Sequence, residues 1–263
     1  MDLASLFSLE GRVALVTGGS RGIGRMIVEG FLAAGAARVY ISARKEAQVE
    51  EAVAALGDRV VGIPLDLSTV EGCEALAAEI AQREERLDIL VNNAGAAWGA
   101  DYLEFPESGW DKVMDLNVKS LFFLTKALHP QLAAAASLAR PAKVVNIASI
   151  DGLRLNPMET YSYQASKAAV IQLTRRMAAR LVKEHILMTA IAPGAFASEM
   201  NRAARDHGDA IATGIPARRI GEAEDMAAAA IYLASRAGDY VIGHTLVVDG
   251  GLVDAALPSL GPS

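Results

Sequence analysis

The strongest constraint on this chain is a rhythm. Short apolar runs rich in β-branched residues, at 13–17, 38–42, 60–63, 89–92, 144–149, 188–191 and 245–248, alternate with amphipathic stretches at 22–34, 45–55, 70–83, 110–128, 163–183 and 222–235. The runs have the length and composition of strands buried on both faces. Crossover helices supply that burial for parallel strands, so the pattern predicts an α/β fold: a mainly parallel seven-stranded sheet, doubly wound, with helices on both faces. The alanine-rich piece 131–140 is read as the end of a helix leading through Pro141 into the next strand. Residues 196–219 break the rhythm with Gly208, Gly214 and Pro216, and are expected to form a substrate-side lid; an exposed insertion is the alternative.

With 263 residues, 52% of them hydrophobic, there is material for one large core, and no Gly/Ser/Pro-rich linker divides it. One domain over residues 1–263 is expected. A net charge of −6 without a basic arm argues against a nucleic-acid partner. Cys73 is the only cysteine and the four histidines are scattered, so neither a disulfide nor a metal site is expected. The first eleven residues lack a basic leader and the run at 13–16 is too short to span a bilayer, which points to the cytoplasm and away from membranes.

Directly after the first run comes Thr17-Gly18-Gly19-Ser20-Arg21-Gly22-Ile23-Gly24, opening a helical stretch. Gly18 permits the turn, while Gly22 and Gly24 allow backbone to approach a pyrophosphate held at the helix N-terminus. Strand, glycine turn and helix together predict a Rossmann-type dinucleotide site lined by Gly18, Ser20, Arg21, Gly22, Ile23 and Gly24. The second strand ends Ser42-Ala43-Arg44-Lys45, with no acid to bind the free ribose hydroxyls of NAD. Arg44 and Arg21 are placed to grip a 2′-phosphate, so NADP(H) is preferred over NAD(H); a solvated rim is the bland alternative. Asp66, beside Leu67, is read as an acceptor for the adenine amino group or as a cap near Ser68. Asn93, Ala94 and Gly95 in the Asn92-Asn93-Ala94-Gly95 turn are expected to let backbone lie against the cofactor.

These motifs, with Tyr163-x-x-x-Lys167 and Pro193-Gly194 in the same order, resemble the classical short-chain dehydrogenase/reductase family across residues 9–251. Within it the chain is similar to NADPH-dependent 3-oxoacyl (β-ketoacyl) reductases, in the branch associated with rhamnolipid producers. The resemblance implies a catalytic tetrad of Asn117, Ser149, Tyr163 and Lys167. Tyr163 would give its proton to the substrate oxygen, Ser149 would orient that oxygen, and Lys167 would hold the nicotinamide ribose. Four residues apart on a helix, Tyr163 and Lys167 face one cleft, and the ammonium, with the positive charge of an oxidised nicotinamide, is expected to lower the phenol's pKa. Asn117 would support a proton-relay water, or simply bond its local backbone. The resemblance also implies cofactor contacts at Pro193, Gly194 and Ser198, and a homotetramer.

Trp98, Met158, Phe196 and Met200 are candidates for an apolar substrate pocket, and Arg154 for neutralising an acidic substrate or carrier; fold packing and solvation are their ordinary roles. The function expected is NADPH-dependent reduction of a ketone or β-keto compound, with a 3-oxoacyl thioester and its acyl carrier among the candidates. A secondary-alcohol, steroid or sugar dehydrogenase stays open within the enzyme class. Outside that class stands a catalytically inactive cofactor sensor.

Overall fold

The computed structural model describes residues 2–198 and 201–256. Its strands are β1 (Val13–Thr17), β2 (Arg38–Ala43), β3 (Val60–Pro64), β4 (Ile89–Asn92), β5 (Ala142–Ile147), β6 (Ile186–Pro193) and β7 (Thr245–Val248). All pair in parallel, in the order β3-β2-β1-β4-β5-β6-β7. The helices are α1 (Leu3–Phe7), α2 (Gly22–Ala33), α3 (Glu46–Leu56), α4 (Val70–Arg83), α5 (Glu107–Met114), α6 (Ser120–Ala127), α7 (His129–Ala135), α8 (Tyr161–Leu181), α9 (Arg202–Asp206), α10 (Gly208–Ala212) and α11 (Ala223–Ala234).

Both sheet faces are covered, as the unbroken apolar strands require. On one side Ile27, Val28 and Phe31 of α2 meet Met226, Ala230 and Leu233 of α11 over β1, β2 and β5. The two helices cross so closely at Gly30 that a Cβ there would lie 2.6 Å from that of Ala227. On the other side Cys73, Leu76 and Ile80 of α4 pack with Leu124 of α6 and Leu132 of α7. The central strands β4 and β5 are buried along their whole length.

The direction of winding reverses between β1 and β4, neighbours in the sheet that are separated in sequence by two βα units. A crevice opens at such a switch point, beyond the carboxyl ends of the strands. Two elements differ from the expected pattern there. β5 ends at Ile147, so Ser149 lies past the strand as the N-cap of a 3-10 turn, Ile150–Gly152. The stretch expected as one helix over 110–128 starts earlier, at Glu107, and is interrupted by a π-helical turn, Asp115–Lys119, which carries Asn117.

Candidate active site

The glycine turn is built by close approach. Gly18 has φ +66° and Gly22 φ +55°, and a Cβ on Gly24 would stand 2.3 Å from the carbonyl oxygen of Gly18. No larger residue fits at Gly24, because the atom in the way is backbone. Thr17 braces the turn: its Oγ1 accepts the N–H groups of Asn93 and Ala94, each at 2.9 Å. Asn93 returns the bond, donating Nδ2 to the Thr17 carbonyl at 2.8 Å. The end of β1 is thus stitched to the turn after β4. No side chain caps α2, so its first N–H groups and positive dipole end face the turn.

This cradle fits a dinucleotide phosphate. Ser20 is buried in the turn, Ile23 packs on the core behind it, and Arg21 is exposed at its rim. At the neighbouring strand ends, Arg44 Nη1 stands 3.9 Å from Asp66 Oδ2, both largely solvated. The other Asp66 oxygen accepts the Ser68 N–H at 3.0 Å; that bond, then Arg44, holds the carboxyl below its ordinary pKa. The cap of α4 is Thr69, not Asp66. Leu67 is buried under α4.

On the opposite flank, Ser149 at the turn after β5 meets Tyr163 and Lys167 from the first two turns of α8. The Ser149 hydroxyl lies near enough to the Tyr163 phenol to pull its pKa down, while Ser149 Oγ accepts the Asp151 N–H at 3.1 Å. The Lys167 ammonium lies 5.6 Å from the Tyr163 ring centroid and donates to the Ile147 carbonyl at 2.8 Å. Burial pushes the Tyr163 phenol up to about 12, with Ser149 pulling it down and the Asp151 carboxylate adding a little upward. Burial likewise brings Lys167 down to about 8, against the raising influence of Asp151. Burial is the largest influence on the phenol and acts upward; the lowering expected from Lys167 together with an oxidised nicotinamide is a property of the cofactor-bound site. Tyr163 is a protonated phenol throughout the ordinary pH range, and Lys167 is mainly an ammonium below pH 8.

Asn117 is engaged through its whole amide. Its Oδ1 accepts the Ala96 N–H at 2.8 Å; its Nδ2 donates to the Ala96 carbonyl and to Ser166 Oγ, both at 2.9 Å. These partners are distant in sequence, the Ala96 backbone and the Ser166 hydroxyl, and not the local backbone of its own helix. Ser166 in turn donates to the Tyr163 carbonyl at 2.7 Å, so the loop after β4, the π turn and the first turn of α8 form one connected unit. Gly95 sits inside it, where a Cβ would meet Asn117 Oδ1 at 3.1 Å. Thr17 and Ser166 were not singled out from the sequence, although a threonine before the glycine turn and a serine before Lys167 were there to be asked about.

Gly194 closes the site beyond β6, with room for no Cβ against Asp249, whose carboxylate accepts the Gly251 and Val253 N–H groups at 2.7 Å each. Asp249 is thus structural, and Pro193 is buried at the strand end. Ser198 lies across from Gly22, where a Cβ would be 3.2 Å from its own, which brings the start of residues 196–219 over the phosphate turn.

The pocket candidates disperse. Phe196 is 2% exposed, its ring packed on Gly221 within the main core. Trp98 lies against Gly109 of α5 with the Lys112 ammonium 5.1 Å from its ring centroid. Met158 is 64% exposed on the loop before α8. Met200 lies outside the described residues. Arg154, the candidate for an acidic partner, instead donates to the Leu252 carbonyl at 2.8 Å. Among the described residues no group of His, Cys, Asp or Glu could hold a metal, and no helix is long and apolar enough to cross a membrane.

Comparison with known proteins places this geometry. The family described as Enoyl-(Acyl carrier protein) reductase matches residues 18–253. The rhamnolipids biosynthesis 3-oxoacyl-[acyl-carrier-protein] reductase of Pseudomonas aeruginosa is 49% identical over 251 residues, 93% of this chain and 97% of that protein. The 2-dehydro-3-deoxy-D-gluconate 5-dehydrogenase of Escherichia coli is 39% identical over 252 residues, 95% of this chain and 98% of its own length. Among solved structures, the Pseudomonas aeruginosa RhlG/NADP active-site complex superposes with a TM-score of 0.88 at 47% identity, covering 94% of this chain and 98% of that one.

Proposed function

The chain belongs to the short-chain dehydrogenase/reductase family, and on that premise we infer that it is an NADP-dependent reductase of ketones and β-keto compounds, 3-oxoacyl thioesters among them. The observation that carries the chemical step is the half-buried Tyr163 phenol with the buried Lys167 ammonium 5.6 Å from its ring centroid and Ser149 alongside.

When bound, NADPH supplies the hydride that reduces the carbonyl carbon. Gly18, Ser20, Arg21, Gly22, Ile23 and Gly24 would hold its pyrophosphate side, Arg44 its 2′-phosphate and Asp66 its adenine. Leu67, Asn93, Ala94 and Gly95 would wall the middle, with Pro193, Gly194 and Ser198 on the nicotinamide side. Ser149 offers its hydroxyl to the substrate oxygen and aligns it with the phenol. Tyr163 transfers its proton to that oxygen as negative charge develops there, and regains a proton from solvent afterwards. Lys167, an ammonium beside the phenol, favours the transient phenolate and is placed to hold the ribose. Asn117 works through position, clamping the Ala96 backbone and, by way of Ser166, the turn that carries Tyr163.

Residues 196–219 act as a lid: their ends are pinned by the Phe196–Gly221 bridge, and two short helices lie between. A homotetramer is favoured by apolar side chains left open on α5, on α6 and just before β7, at Trp110, Phe122 and Ile242. An acyl carrier presents the thioester in one version of this reaction.

The test is NADPH oxidation with β-ketoacyl thioesters, β-keto esters and cyclic ketones, repeated with Tyr163→Phe. Turnover of a β-keto substrate, falling by about 10²–10⁴-fold in a folded variant that still binds NADPH, is expected. Cofactor binding without turnover of any ketone would favour the sensor instead.

A further inference from the structure

Between the 3-10 turn that Ser149 caps and the helix that carries Tyr163, residues 153–160 form neither helix nor strand. Asn156 is half-buried, and the three residues on each side of it are exposed. A loop with so little burial is ordered chiefly by the hydrogen bonds it makes, and its one inward side chain is an amide.

Both ends of that amide are used. Asn156 Nδ2 donates to Asp151 Oδ2 at 3.0 Å, and Oδ1 accepts the Met158 N–H at 2.8 Å. Each bond leads toward a catalytic group. Asp151 lies in the turn Ile150–Gly152 and gives its own N–H to Ser149 Oγ at 3.1 Å. The Met158 carbonyl accepts Gln164 Nε2 at 3.2 Å, and Gln164 follows Tyr163 in the first turn of α8. Asn156 therefore stands midway in a run of bonds from the Ser149 hydroxyl to the turn that carries Tyr163. Arg154, on the same loop, is fastened away from this pair, to the Leu252 carbonyl at 2.8 Å.

We propose that Asn156 is a positioning residue for the reduction, setting the Ser149 hydroxyl against the Tyr163 phenol through its bonds to the Asp151 carboxylate and the Met158 backbone. The inference rests on the reductase reading above, in which both hydroxyls meet one substrate oxygen. Misplacing such a pair by about 1 Å costs about 10²-fold in rate, because the aligned geometry must then be found by chance. Asn156 acts through Ser149 and Tyr163 and lies on the flank opposite the phosphate cradle. Its loss therefore falls on kcat, and NADPH affinity is spared.

The experiment measures kcat and KM for ethyl acetoacetate, Kd for NADPH by fluorescence titration, and Tm. Wild type is compared with Asn156→Ala, Asn156→Asp, Arg154→Ala and the exchanged pair Asp151→Asn with Asn156→Asp. Asn156→Ala should lower kcat by about 10–100-fold while Kd for NADPH and Tm stay near those of wild type. Asn156→Asp sets two carboxylates against each other and should be at least as slow. The exchanged pair again opposes one amide to one carboxylate, so it should regain most of the lost kcat. Arg154→Ala loosens the same loop without touching this run of bonds and should keep its turnover. Wild-type kcat in Asn156→Ala, an equal loss in Arg154→Ala, or an exchanged pair no faster than Asn156→Asp overturns this inference alone. Where Asn156→Ala is too unstable to assay, the exchanged pair decides. If wild type reduces neither ethyl acetoacetate nor any β-keto thioester, the reductase reading falls and this inference with it.

Discussion

The two ends of the sheet treat buried charge in opposite ways. At the amino ends of the strands, Asp88 is 1% exposed and fully partnered: Arg12 Nη1 donates to Oδ1 at 3.2 Å, the Val13 N–H to Oδ2 at 2.9 Å, and Arg140 stands 3.3 Å away. Next to it the buried Lys143 ammonium forms an ion pair with Asp239 at 2.6 Å, a close contact without hydrogen-bond alignment. At the carboxyl ends, Lys167 is buried with only a carbonyl to donate to, and Tyr163 is pushed to about 12 with only Ser149 to relieve it. Charges matched by countercharges hold structure together. Burial lowers the pKa of Arg12 and Lys143 too, but there a carboxylate in contact opposes the shift; Lys167 has no carboxylate in contact, and its ammonium is the one set beside a proton donor.

The sharpest way to break this contrast is to remove one member from each end. Asp88→Ala leaves Arg12 buried without its carboxylate and should cost about 3–5 kcal/mol of stability in a denaturant titration. Lys167→Met removes a buried ammonium with no carboxylate in contact, so it should abolish turnover while Tm stays near that of wild type. If the two variants lose comparable stability, the ends of the sheet are not different in kind.

A smaller effect is expected at the solvated rim, where Arg44 is 67% exposed and only 3.9 Å from Asp66. Ala43→Asp with Arg44→Ala places an acid where NAD's ribose hydroxyls would lie and removes a phosphate contact worth about 1.5–3 kcal/mol. The kcat/KM ratio of NADPH to NADH should fall, incompletely because Arg21 remains. An unchanged ratio in a folded double variant would remove Arg44 from phosphate recognition.

The smallest effect concerns pH. With Lys167 lowered to about 8, its charge is present below that value and lost above it, whereas Tyr163 keeps its proton to about 12. Reductive kcat/KM, which reports the free enzyme, should be level below pH 8 and fall by about tenfold per unit above it. A profile level to pH 10 would show that the lysine charge is not required.

Much of this was legible in advance because it rests on local chemistry. β1, β4, β7 and α4 match the expected limits to the residue, since β-branched runs and amphipathic periods are written in neighbouring positions. Ser149 was expected at a strand end and caps a turn beyond it, because the pairing of β5 with β6 stops at Ile147, which only the partner strand dictates. The π turn at Asp115–Lys119 gave no periodic signal. It is a local break held by contacts from Asn117 to Ala96, 21 residues away, and to Ser166, 49 residues away. The buried chain from Thr125 through Asn92 and Asn146 to Thr174 was equally invisible, though two asparagines in apolar strands hinted at it.

The sequence by itself determined the doubly wound sheet, the glycine cradle, the missing acid after β2 and the helical spacing of Tyr163 and Lys167. Each depends on backbone sterics or on periodicity within one element, which neighbouring residues specify. Only the tertiary structure decided that Ser149 meets Tyr163 and Lys167, that Asn117 ties the Ala96 backbone to Ser166, and that Phe196 is core. Desolvation, satisfied hydrogen bonds and charge proximity depend on which distant segments share a volume, and no local pattern contains that information.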